Sequence, residues 1–217
     1  MTELKFARKG PEGADAAVVF LHGYGADGAD LLGLADPLSP HLPNTAFYAP
    51  DAPERSVNNP FGYQWFPIPW LDGSTEAQAQ ESMGRSITAV NAFLDKVLAD
   101  EGITADRLVV IGFSQGTMMA LHVLPRRENE IAGIVGFSGR LLTPETLAAE
   151  SVVKPPVLLI HGDADPVVPF EDMGLAGQAL EAAGFTVYGH VMKGTGHGIS
   201  PDGLSVALSF LKDRLGK

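Results

Sequence analysis

Gly112-Phe113-Ser114-Gln115-Gly116 joins a side chain able to attack a carbonyl with the backbone freedom to present it. A serine hydroxyl becomes a nucleophile when a base takes its proton and fixed dipoles hold the charge that develops. G-x-S-x-G is short and built of common residues, so its setting decides whether it carries chemistry. Leu108-Val109-Val110-Ile111 is apolar and mostly β-branched, which predicts a strand buried on both faces. Gln115 to Leu124 holds Met118, Met119, Leu121 and Leu124 without a breaker before Pro125, which predicts a helix. On so sharp a turn the serine is strained, and side chains at 112 and 116 would collide with the neighbouring strand and helix. The turn would lift Ser114 clear of a sheet and aim the helix N-terminus at it, where free N–H groups and the dipole favour negative charge. Gly136-Phe137-Ser138-Gly139 also follows an apolar run, but Arg140 replaces the last glycine. Ser138 therefore reads as a turn residue.

The base must be one of six histidines. His41 lies in a proline-rich loop, His122 within a helix and His190 within a strand, and ordinary structural roles suit all three. His22 fits a buried histidine bonded to local backbone, and His161 would crowd the acidic turn that it precedes. His197 stands between two glycines, on a loop that lets an imidazole swing over the serine. The order of nucleophile, acid and base expected of a serine on a strand-to-helix turn also requires a late histidine. For the acid, Asp163 and Asp165 are both candidates; Asp165, before Pro166, better fits the loop position that the order requires.

The elements that must hold these residues alternate. Ala16 to Leu21 predicts a first buried strand, running into the glycine-rich His22-Gly23-Tyr24-Gly25-Ala26-Asp27-Gly28. No Gly-Lys-Ser/Thr follows, so an oxyanion donor loop fits better than a phosphate loop. A helix is expected over Ala29 to Leu38 and a strand over Thr45 to Ala49. Pro50 to Ser74 reads as irregular, because eight of the sixteen prolines fall between 37 and 69. A long irregular stretch inside a compact domain is usually functional, and this one holds both tryptophans, Trp65 and Trp70, with Phe61, Tyr63 and Phe66. Core cover and the wall of an apolar substrate cleft both fit. Glu76 to Leu98 predicts a long helix with Met83, Ile87, Val90, Leu94 and Val97 on one face. Further strands are expected at Ile131 to Val135, Val157 to Ile160 and Thr186 to Met192. Helices are expected at Leu141 to Glu150, capped by Thr143-Pro144, at Phe170 to Ala183, and from Ser200-Pro201 to Leu215. Such alternation predicts an α/β fold, a mostly parallel sheet with helices on both faces, over residues 1–217 as one domain. His22, Ser114, Asp165 and His197 all fall just past strand ends, where ligands gather in such sheets.

Hydrophobic residues make up 45% of the 217 residues and charged ones 19%, the balance of a globular chain with a large core. A net charge of −11 argues against nucleic acid and against adsorption to anionic membranes. Arg126-Arg127 is offset by Glu128 and Glu130 and reads as a solvated loop. The absence of cysteine removes disulfides, a thiolate nucleophile and Cys-rich metal sites together. Met1 to Lys5 leads into no apolar run, and no segment reaches membrane-spanning length, so a cytoplasmic protein is expected.

Leu21-His22-Gly23-Tyr24-Gly25, the Ser114 motif, Asp165-Pro166-Val167-Val168-Pro169 and Gly196-His197 together resemble the phospholipase/carboxylesterase family of small α/β-hydrolases, which includes bacterial carboxylesterases and acyl-protein thioesterases. The Ala49-Pro50 to Trp65-Phe66 segment also resembles the family's substrate-side loop. The similarity spans nearly the whole chain in the family's order. It implies an α/β-hydrolase fold with no large lid domain, a triad of Ser114, Asp165 and His197, and oxyanion donors from the N–H groups of Tyr24 and Gln115. It implies an ester substrate, met by Trp65, Phe66 and Met118, with no cofactor and no metal. Two features depart from the commoner pattern: Tyr24 stands where Leu is usual, and Pro67-Ile68-Pro69-Trp70 replaces the usual Asp.

Ester hydrolysis through an acyl-enzyme is the expected reaction. Thioesterase or lysophospholipase chemistry with the same triad is the nearest rival. A silent binding module would usually lack one of the catalytic groups, and a metallohydrolase built on His22, His161 and Asp163 lacks H-x-x-x-H or H-E-x-x-H spacing. Exposed aromatics near Trp65 suit a partner subunit as readily as a substrate, so a homodimer is among the expected assemblies.

Overall fold

The computed structural model describes residues 3–216. Its elements, in chain order, are β1 (Phe6–Lys9), β2 (Ala16–Leu21), α1 (Gly28–Leu32), α2 (Ala35–Leu38), β3 (Thr45–Pro50), β4 (Glu54–Arg55), β5 (Tyr63–Gln64), α3 (Pro69–Asp72), α4 (Glu76–Glu101), β6 (Leu108–Phe113), α5 (Gln115–Val123), β7 (Gly133–Phe137), α6 (Pro144–Glu150), β8 (Val157–Gly162), α7 (Glu171–Ala182), β9 (Val187–Met192) and α8 (Pro201–Leu215). Seven strands form one sheet in the order β1-β3-β2-β6-β7-β8-β9. Only β1 is antiparallel to its neighbour, so the sheet is mixed but mostly parallel.

The central strands β2, β3, β7 and β8 are buried at every position, which is why their sequences are apolar runs and not alternations. Alternate residues still serve different faces, because successive side chains point to opposite sides of a strand. Val19, Leu21, Val110, Ile134 and Leu159 pack under α4, α5 and α7, against Val90, Leu94, Met119 and Leu180. Val18, Phe20, Val109, Ile111, Val135 and Ile160 pack on the other face, against α1, α2 and α8 through Leu31, Leu38, Phe210 and Leu211. Every parallel strand therefore ends at the same edge of the sheet, and the loops leaving that edge carry the candidate groups.

Several boundaries differ from expectation. The helix expected over Ala29 to Leu38 is two short ones, broken at Gly33-Leu34. The edge strand β1 has no apolar run to announce it, since its residues are alternately half-buried and exposed. The Pro50 to Ser74 stretch holds a two-stranded hairpin, β4 with β5, and the one-turn helix α3. Thr143 stands at the start of α6 but its side chain makes no capping bond. Ser200 does cap α8, its side chain accepting from the Gly203 N–H at 3.2 Å. Thr75 and Gln78 form a reciprocal capping box at the start of α4.

Candidate active site

Ser114 sits between β6 and α5 with φ 54° and ψ −115°, a conformation that side-chain-bearing residues rarely adopt. Two glycines permit it. A Cβ on Gly112 would strike the backbone of Thr117, and one on Gly116 would run into the carbonyl of Leu21. The Ser114 N–H donates to the Phe137 carbonyl at 2.9 Å, anchoring the turn to β7. Ser138, at φ 47°, shares the strain without the access: it is 0% exposed and its Oγ has no hydrogen-bond partner. It is a buried turn residue.

Two further strand-exit loops are zipped together beside this turn. The Gly194 N–H donates to Asp163 Oδ1 at 2.6 Å, and the Ala164 N–H donates to the Thr195 carbonyl at 3.1 Å. Gly162 makes room, since a Cβ there would strike the Thr195 carbonyl. The next residues along each loop then meet: His197 Nδ1 lies 2.8 Å from Asp165 Oδ2. A carboxylate oxygen accepts, so the proton is on Nδ1 and the lone pair on Nε2. Asp163, the rival acid, is spent on tying the loops and pairs with Lys193 at 3.3 Å.

The Asp165 side chain is fully buried. Burial alone would push its carboxyl up, but hydrogen bonds from His197 and from the N–H groups of Val167 (2.8 Å) and Val168 (3.0 Å) outweigh it and hold it below the ordinary carboxylate range. The His197 ring packs on Phe113, the residue before the serine, with centroids 4.9 Å apart. Ser114 and His197 line one cavity of about 700 Å³.

That cavity is also lined by Tyr24, Gln115, Phe66 and Met118, four of the residues expected there. Trp65 is the correction. It is 0% exposed and does not line the cavity; it belongs to the core. Its indole N–H donates to the His22 carbonyl at 2.9 Å, its own N–H donates to Gln115 Oε1 at 2.9 Å, and Ser86 Oγ–H donates to its carbonyl. Gln115 Nε2 in turn donates to the Phe66 carbonyl at 2.7 Å. The Gln115 side chain thus clamps the Trp65-Phe66 backbone to the serine turn. His22 completes the frame: Nδ1–H faces the Gly23 carbonyl at 2.7 Å while Nε2 accepts from the Ala52 N–H at 2.9 Å. With both ring nitrogens committed to backbone, His22 is structural, and burial pushes its pKa down.

The role of the Gln115 and Ser86 side chains escaped sequence reasoning, because their partners lie 49 to 50 and 21 residues away. His122 also lines the cavity, with its Nδ1 shielded and unpartnered; burial and then Arg126 push its pKa down. Among the described residues, no group of three or more His, Cys, Asp or Glu could hold a metal ion, and no helix is long and apolar enough to cross a membrane.

The chain is similar to known proteins over nearly its whole length. A family model described as Phospholipase/Carboxylesterase matches residues 5–215. Acyl-protein thioesterase 1 of Neurospora crassa is 32% identical over 93% of this chain and 88% of its own length. Esterase YpfH of Escherichia coli is 28% identical over 92% of this chain and 83% of its own. The crystal structure of esterase PE8 superposes with a TM-score of 0.92 at 38% identity, covering 99% of this chain and 100% of that one. Zea mays acyl-protein thioesterase 2 gives a TM-score of 0.77 at 29% identity, covering 98% and 99%.

Proposed function

The chain belongs to the phospholipase/carboxylesterase family of small α/β-hydrolases, and on that premise we propose that it is a serine carboxylesterase with Ser114, His197 and Asp165 as its triad. The observation that carries this reading is the 2.8 Å bond from a buried carboxylate to a histidine that shares a cavity with a strained, glycine-flanked serine. His197 Nε2 takes the proton of Ser114 as Oγ attacks the ester carbonyl. The oxyanion is held by the N–H groups of Tyr24 and Gln115; Gln115 opens α5, so its N–H has no partner within the helix. His197 returns the proton to the departing alcohol, and water activated by the same ring releases the acid. Asp165 keeps the proton of His197 on Nδ1 and stabilises the imidazolium. The reaction uses no cofactor or metal, and a cysteine-free chain suits the cytoplasm as well as any compartment.

The acyl group runs down the groove between α5 and α4. Ser114, Met118 and His122 line it on successive turns, a span of about 12 Å at the helical rise, which fits short to medium chains. Gly84 faces them from α4, and a Cβ there would meet nothing within 4 Å. Gly84→Leu should therefore fold at least as stably as the unaltered protein, since glycine costs a helix interior about 1 kcal/mol. It should lower kcat/KM on a p-nitrophenyl octanoate about tenfold more than on the acetate. Equal effects on both esters would remove the acyl groove from α4.

A thioesterase reading is favoured by the Neurospora relative's name and by the apolar rim, where Trp70 is 81% exposed. Oxygen esters of graded length, an S-acylated peptide and a lysolipid, compared at equal enzyme, separate the two. We expect the highest kcat/KM on the short to medium oxygen esters; a thioester preferred by tenfold or more would transfer the assignment.

A further inference from the structure

Asp165 does not rest on His197 alone. Its Oδ2 also lies 3.3 Å from Nε2 of His161, and that same Nε2 is 3.0 Å from the Val168 carbonyl. The carbonyl can only accept, so the proton of His161 sits on Nε2 and is donated to Val168, with Oδ2 of Asp165 standing beside that nitrogen. The two side chains are 2% and 0% exposed, and Phe170 sets its ring edge-on to the imidazole at 6.1 Å. His161 belongs to β8 and is held in register against Val191 of β9, whereas Asp165 rides on the turn beyond.

We propose that His161 is a positioning residue for Asp165, its Nε2–H closing the carboxylate's turn through the Val168 carbonyl while its ring stands against Oδ2 and keeps that oxygen turned to His197. This rests on the triad reading given above. With Val167 and Val168 on Oδ1, His197 on Oδ2 and the His161 ring packed beside that oxygen, the carboxylate has both oxygens engaged and little room to rotate away from His197. The His161 N–H dipole, its nitrogen 3.3 Å away, also moderates the negative charge that Oδ2 turns toward His197. Removing it leaves that oxygen more negative and favours the imidazolium.

The test compares the unaltered protein with His161→Leu and His161→Gln on p-nitrophenyl acetate. Leu removes the donor; Gln returns an N–H near the Nε2 position. We expect kcat of His161→Leu to fall on the order of a hundredfold, with KM within about twofold. The acid limb of its kcat/KM profile should move to higher pH, and Gln should restore both rate and limb. A role confined to supporting the loop would lower rate and Tm together and leave the limb in place, whether or not Gln rescues them. That result, or a folded His161→Leu with kcat within about twofold, overturns the proposal. If neither variant folds, long-range 1H–15N spectra of the unaltered protein decide it: a proton on Nε2 of His161 supports the proposal, and one on Nδ1 refutes it. An unaltered protein with no esterase activity would instead defeat the triad reading, and the spectra test the His161 contact independently of it.

Discussion

Ser114→Ala should lower ester turnover about a millionfold while the protein remains folded, because the side chains of a Ser-His-Asp triad act as a unit. What the substitution removes is one oxygen atom. The backbone strain at φ 54° stays, the flanking glycines stay, and the N–H of residue 114 still donates to Phe137. Tm should therefore change by only a few degrees. The residual rate should come from the oxyanion donors and from binding in the cavity of about 700 Å³. Steady-state kinetics with p-nitrophenyl acetate, alongside thermal unfolding, measures both quantities. A variant that keeps a tenth of the activity would exclude Ser114 as the nucleophile.

Asp165→Asn should cost about ten-thousandfold in kcat with little change in KM. The carboxylate accepts from Val167 and Val168 on one oxygen and from His197 on the other, with His161 beside it. An amide has one oxygen to offer to all of these donors. If the oxygen stays on the two main-chain N–H groups, the NH₂ faces His197 Nδ1 and forces the ring proton onto Nε2. That tautomer has no lone pair with which to take the proton of Ser114. If the amide flips instead, two buried N–H groups in the turn lose their acceptor, at a cost of about 1–3 kcal/mol each. Either arrangement is visible: the first as a lost kcat at unchanged Tm, the second as a falling Tm. An Asn variant within tenfold of the unaltered rate would remove Asp165 from the mechanism.

Local signals made the serine turn legible in the sequence. The need for glycine at 112 and 116 follows from backbone collisions a few residues away, and the structure has them. Loop position alone favours Asp165 over Asp163 in the sequence; the bonds that occupy Asp163, to Gly194 and Lys193, are contacts across about thirty residues. Trp65 reads as a cleft residue because an aromatic in a proline-rich loop looks the same in sequence whether it faces solvent or core. Its indole in fact closes on the His22 carbonyl, and Phe66 alone of that pair reaches the cavity. His161 reads from sequence as crowding the acidic turn, and that closeness is what puts its Nε2 against Asp165. β1 was invisible because an edge strand exposed on alternate residues carries no apolar run. Tertiary contact, not local propensity, decided each of these.

The most direct test of a nucleophilic Ser114 activated by His197 is reaction with a fluorophosphonate probe, followed by mass-spectrometric mapping of the modified residue. A single adduct on Ser114, formed rapidly by the unaltered protein and slowed at least a thousandfold by His197→Ala, is the expected result. An adduct on any other side chain, or a Ser114 adduct formed equally fast without His197, would contradict it.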